Sequence, residues 1–165
     1  MRENTQNTES VFEALSKTAA AETAGGQSPS PATTNGLPDD VERELDDLLA
    51  QALSVLPTED IEFTDELIKE NLDEILLVLI TLHDGTHGDE LLSDLSRYFD
   101  TTLSPGTVYP ALHALEEAGY LTLQQKVRTK EYSIAEDATV QSMVEETMIQ
   151  QLAFGLLLSA FLARY

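Results

Sequence analysis

The chain has no cysteine, which excludes disulfides and thiolate metal sites together. Positive charge is nearly as scarce. Nine Lys and Arg stand against 30 Asp and Glu, a formal net charge of −21 over 165 residues, and the only lysines are Lys17, Lys69, Lys126 and Lys130. No apolar run follows the charged residues at the N-terminus, so no signal peptide is expected. The one strongly apolar stretch, Leu152–Ala163, falls well short of the roughly 20 residues a membrane-spanning helix needs. A soluble cytoplasmic protein without a membrane partner is the expectation. Also missing are a Gly-rich phosphate loop and a Ser/His/Asp grouping. The paired carboxylates (Asp46-Asp47, Asp65-Glu66, Glu116-Glu117, Glu145-Glu146) read as solvated faces in so acidic a chain. No catalytic residue is assigned, and an enzyme is not expected.

A charge of this sign and size ordinarily argues against nucleic acid, because repulsion removes the electrostatic term that dominates DNA affinity. Here, however, the acids are spread along the chain rather than gathered in a tail. That pattern keeps a protein hydrated in concentrated salt, where the Debye length falls to roughly 3 Å and net charge ceases to veto DNA binding. A halophilic setting is therefore expected.

What is present divides the chain into four parts. Residues 1–37 are rich in Ser, Thr, Ala, Gly, Pro, Asn and Gln and bury too little to offset their ordering entropy, so they read as a disordered N-terminal arm. Residues 38–70 hold accessory amphipathic helices. In the first, Val41, Leu45, Leu48, Leu49, Ala52, Leu53 and Leu56 recur at helical spacing as far as Pro57. The second starts near Thr64, with a possible fresh cap at Asn71, since Asn71-Leu72-Asp73-Glu74 has capping-box form. Residues 71–135 read as a helix through Ile75–Leu82, a helix 87–99 capped by Thr86, and a helix 104–118. Ser104 supplies the cap of the last, Pro105 takes its first position and Gly119 ends it. Two alternating strands follow, around 121–124 and 131–134. Residues 136–165 form a long helix that is amphipathic early and almost wholly apolar late.

Three helices followed by a β-hairpin make the order of a winged helix-turn-helix. The fold expected is mainly α with a small β-hairpin wing and a long C-terminal dimerisation helix. Leu103-Ser104-Pro105-Gly106-Thr107-Val108-Tyr109-Pro110-Ala111-Leu112-His113-Ala114-Leu115-Glu116-Glu117-Ala118-Gly119-Tyr120-Leu121 resembles the recognition-helix signature of PadR transcriptional regulators. His87-Gly88-Asp89-Glu90-Leu91 resembles the stretch that opens the preceding helix in that family, with Asp89 replacing the usual aromatic. Lys130-Glu131-Tyr132-Ser133-Ile134 stands where the family has its second wing strand. The resemblance covers roughly 72–135. It implies a homodimer whose recognition helices enter successive major grooves of a pseudo-palindromic operator in double-stranded DNA, and it leaves room for a small-molecule effector between subunits. Carried over by position, the groove-facing residues are Ser104, Thr107, Tyr109, Pro110 and His113. The buried stripe Val108, Ala111, Leu112 and Leu115 selects nearly the same set from the other side. Two departures stand out: Ala114 replaces a longer polar residue, and the wing is short.

Residues 101–135 hold three acids and three bases, whereas the first hundred residues hold 23 acids and 5 bases. The three bases Lys126, Arg128 and Lys130 alternate, so on one extended arm they would share a side and contact phosphates. His83, His87 and His113 lack metal-ligand spacing, and no metal is expected. His87 is read as structural and His113 as facing DNA. No cofactor is expected, although K⁺ or Na⁺ between DNA phosphates and Asp100, Glu116 or Glu117 would fit a salt-adapted interface. Met148, Leu152, Phe154, Leu157 and Phe161 lie in an apolar stretch too large for one small domain to cover, so a second copy is the expected partner. A rival reading, a winged-helix interaction module that does not bind DNA directly, draws on Ala114, the short wing and the net charge. The Ser-Pro-Gly-Thr run and the basic cluster oppose it.

Overall fold

The computed structural model describes residues 38–56 and 62–164, so the expected arm 1–37 lies outside the described residues. The elements are α1 (Pro38–Ser54), α2 (Asp65–Glu70), α3 (Leu72–Leu82), β1 (Thr86–His87), α4 (Gly88–Phe99), α5 (Pro105–Glu117), β2 (Leu121–Gln125), β3 (Lys130–Ile134) and α6 (Asp137–Leu162). This is the mainly helical architecture expected, with one addition: the wing is a three-stranded antiparallel sheet of order β1-β3-β2.

The added strand changes the reading of Thr86. Thr86 pairs with Tyr132 and His87 with Glu131, so Thr86 belongs to the sheet and α4 starts two residues later. Its hydroxyl donates to Glu90 Oε2 at 2.9 Å instead of capping the helix. The expected cap at Ser104 works through the backbone, and the one at Asn71 does not form as expected. The Ser104 carbonyl accepts from the Thr107 and Val108 N–H groups at 2.9 and 3.2 Å, while its hydroxyl pairs with the Thr107 hydroxyl at 3.1 Å. Asn71 does separate α2 from α3, but its side chain caps neither box position; it donates to the Leu67 carbonyl at 2.8 Å. Helix α2 starts near Thr64 as expected, and Thr64 proves to be its cap, accepting from Leu67 N–H at 3.3 Å.

The core is built on α3. Leu72, Leu76, Leu77, Leu79 and Ile80 are all buried, because α4, α5, β3 and α6 pack around this one helix. That is why its sequence is almost continuously apolar rather than striped. Val108, Leu112 and Leu115 of α5, Leu91 and Leu95 of α4, and Tyr132 of β3 complete the cluster. Gly119, at φ +85, ends α5 in a left-handed turn that suits glycine. The Tyr120 N–H returns to the Leu115 carbonyl at 2.9 Å and the Gly119 N–H to that of Glu116 at 3.0 Å, closing a Schellman motif that aims the chain straight into β2.

The long helix α6 runs antiparallel to α3 over its first half. Thr147 donates to Glu74 at 2.7 Å and Gln151 to Asn71 at 2.8 Å. Since Asn71 stands at the start of α3, the eleven residues from Leu152 to Leu162 run past that end of α3 by roughly 16 Å at helical rise. Among the described residues, no helix is long and apolar enough to cross a membrane.

Candidate nucleic-acid interface

One side of α5 packs on the core and the other is open. Ser104, Thr107, Pro110 and His113 are exposed, whereas Val108 and Leu112 are completely buried. Pro105 and Pro110 flank the first turn and a half. Pro110 removes the hydrogen bond that would run to the Gly106 carbonyl. The open face is presented by a helix that Val108, Leu112 and Leu115 anchor to the core.

Tyr109 differs from its four companions. It is half-buried, and its ring lies over the start of α4: a Cβ on Gly88 would fall 2.6 Å from Cε1 and Cζ of Tyr109. Glycine at 88 is thus required by the neighbouring helix rather than by its own backbone. The Tyr109 hydroxyl donates to Asp89 Oδ1 at 3.2 Å. Burial first, then the adjacent Asp89 carboxylate, pushes the Tyr109 phenol above its ordinary pKa, so it stays protonated.

The wing corrects the expected alignment of its bases. Gln125 pairs with Lys130, and the Lys126 N–H donates to the Thr129 carbonyl at 2.8 Å, so the chain reverses at Val127-Arg128. Lys126 and Lys130 therefore stand on opposite arms of the hairpin. Lys126 forms an ion pair with Glu131, on the face opposite Lys130 and Tyr132, since neighbouring strand residues alternate. The three bases surround the tip instead of sharing a side. Arg128 and Lys130 are exposed and have no ion-pair partner among the described residues. Val127, at the very tip, is fully exposed.

The histidines take three different positions. His113 is exposed on α5, with Nδ1 3.6 Å from Glu116. His87 begins α4 without a capping bond, its Nδ1 3.3 Å from Glu90 but not aligned for a hydrogen bond. His83, unremarkable in the sequence, is buried with Nε2 2.6 Å from Asp94 Oδ2. The Asp94 hydrogen bond outweighs desolvation and raises the His83 pKa, and His83 also caps the C-terminus of α3, where the helix dipole favours a cation. A second link ties the turn before α5 to α2: the Thr101 hydroxyl donates to Asp65 at 2.6 Å. Neither link had a periodic signal, since each joins residues on different elements. Among the described residues no cluster of three or more His, Asp or Glu is arranged to hold a metal. Of the three acids expected near phosphates, Asp100 is the left-handed cap of α4 and Glu116 leans toward His113, leaving Glu117 fully open.

The five residues expected at a dimer contact are all exposed: Met148 46%, Leu152 37%, Phe154 60%, Leu157 65% and Phe161 53%. Only Val140 of α6 is buried.

Comparison with known proteins bears directly on this geometry. Residues 75–139, covering α3 through the first turn of α6, match the Transcriptional regulator PadR-like family. Transcriptional activator GvpE1 of Halobacterium salinarum is 42% identical over 97 residues, 59% of this chain and 51% of that protein. Transcriptional activator GvpE of Haloferax mediterranei is 41% identical over 105 residues, 61% of this chain and 55% of that protein. The chain spans about half the length of these relatives. A transcriptional regulator from Clostridium thermocellum superposes with a TM-score of 0.48 at 20% identity, over 56% of this chain and 95% of the other. The matched family is one of transcriptional regulators. Residues 75–139 of this chain are thus similar to the Transcriptional regulator PadR-like family.

Proposed function

We propose that this protein is a cytoplasmic homodimer that binds a pseudo-palindromic operator in double-stranded DNA and works at high salt. Helix α5 lies in the major groove and wing residues 125–131 rest on the backbone. Ser104, Thr107, Tyr109, Pro110 and His113 face the bases; Lys126, Arg128 and Lys130 face phosphates. The observation that carries this reading is an open α5 face together with exposed Arg128 and Lys130 on the wing, which have no ion-pair partner among the described residues. All of these lie within residues 101–135, whose acids and bases balance in a strongly acidic chain. An α-helix fits the major groove, where base edges are distinguishable, while basic side chains on a hairpin bind backbone without regard to sequence.

The second half of the proposal concerns α6. Its C-terminal end exposes Phe154, Leu157, Leu158 and Leu162, an apolar surface of the kind that marks an interaction site. Pairing with α6 of a second copy covers it and places two α5 helices on one duplex. Regulation of transcription by the haloarchaeal relatives supports the same use here.

Gel-shift of genomic fragments in molar KCl tests the proposal. Retention of a limited set of fragments is expected. Equal retention of all fragments, or of none, removes it in favour of a protein-interaction role.

A further inference from the structure

Asp89 occupies an unusual place for an acid: the exposed first turn of α4, directly beside the face of α5 that the proposed function turns toward DNA. Repulsion by phosphates gives it no electrostatic reason to be there. Its one hydrogen bond is informative. A tyrosine hydroxyl has a single proton to donate and two lone pairs to accept with. Here the proton is directed at Asp89 Oδ1, 3.2 Å away, and the ring is held against Gly88, which limits where the oxygen can go. With its proton committed, the oxygen can offer only lone pairs to a third group.

We infer that Asp89 is a positioning residue that turns Tyr109 into an obligate hydrogen-bond acceptor, so that Tyr109 selects a base presenting an amino group in the major groove. Those bases are adenine, through its N6 amino group, and cytosine, through N4; guanine O6 and N7 and thymine O4 are acceptors there. A free tyrosine hydroxyl does not discriminate, because it rotates to donate or accept as required. Asp89 removes that freedom. The inference rests on the reading that α5 enters the major groove.

The test is selection of bound sequences from randomised duplexes in molar KCl, with the full chain and its variants. The wild type is expected to enrich adenine or cytosine at one position of each half-site. Asp89→Ala should reduce that preference about 2- to 12-fold, the range for one hydrogen bond, while leaving other positions unchanged. Tyr109→Phe should abolish it, and adding Asp89→Ala to the Tyr109→Phe variant should alter the profile no further. Gly88→Ala keeps the carboxylate but displaces the ring, and should weaken the same preference. Loss of the Asp89 charge also raises affinity for all sequences equally at low salt, an effect that persists without the tyrosine hydroxyl and so separates charge from orientation. A wild-type motif that Asp89→Ala leaves intact overturns this inference alone. No enriched motif even for the wild type overturns the regulator reading and this inference with it. Thermal unfolding of each variant confirms that the fold survives, which the exposed position of Asp89 favours.

Discussion

The head formed by α3–α5 and the sheet differs from α6 in how each satisfies its own apolar residues. In the head they find cover within the chain: Leu76, Leu77, Leu79, Ile80, Leu91, Leu95, Val108, Leu112 and Tyr132 are completely buried. In α6 the early residues Val140, Met143 and Val144 pack on the core, whereas the residues after Gln151 are mostly exposed. Apolar surface of that size is stable in water only when something covers it. The head thus covers its own apolar residues, and the tail, the end of α6, leaves exposed the surface proposed to meet a second copy. Charge divides the head itself, where the acids and bases of residues 101–135 balance at the surface proposed for DNA.

The strongest way to break this comparison is to spoil the tail. Phe154→Asp with Leu157→Asp is expected to yield a monomer by sedimentation, with the head still folded by circular dichroism. Operator affinity should drop by about 100-fold or more, because two linked heads bind as one through effective concentration. A dimer that persists would show that α6 is covered by something else.

Spoiling the head should instead cost folding. Asp94→Ala removes the partner of buried His83 and is expected to lower unfolding free energy by about 3 kcal/mol, as for other broken buried pairs, measured by urea titration. The pH dependence has a fixed sign. The folded-state pKa of His83 is raised, so its contribution is fully present below the unfolded value near 6.5 and is lost as pH rises through the folded value. Wild-type stability should therefore decline above neutral pH from this source, and Asp94→Ala should flatten that decline.

The wing offers a smaller and more selective effect. Replacing Lys126, Arg128 and Lys130 together by Ala should weaken binding to all sequences alike. Each lost phosphate contact lowers the slope of log affinity against log salt by about 0.9. Because Glu131 already holds Lys126, the slope should fall by about two contacts' worth rather than three. The smallest effect is at Tyr132, whose buried hydroxyl has no hydrogen-bond partner. Tyr132→Phe should lose no stability and gain up to about 1 kcal/mol, since an unsatisfied buried group is removed.

Much of this was legible in the residues. The helices of the head carry strong 3.6-residue patterns, caps and stops, and the open face of α5 follows from its buried stripe. What escaped had physical reasons. β1 is two residues long, too short for an alternating signal, and Thr86 has the composition of a cap. His83 and Asp94 sit on different helices and meet only after folding. The side-sharing expected of the wing bases assumed one straight arm, and the reversal at Val127-Arg128 breaks it. Gly88 looked like part of a motif; its cause is the ring of Tyr109, supplied by another helix.

The central claim, that two heads are joined through their tails to read one duplex, is tested most directly by the symmetry of the DNA selected from random duplexes. An inverted repeat is predicted, its half-site centres about 10–10.5 base pairs apart or a multiple of that. Enrichment of a single unrepeated half-site, or of no sequence, would contradict it.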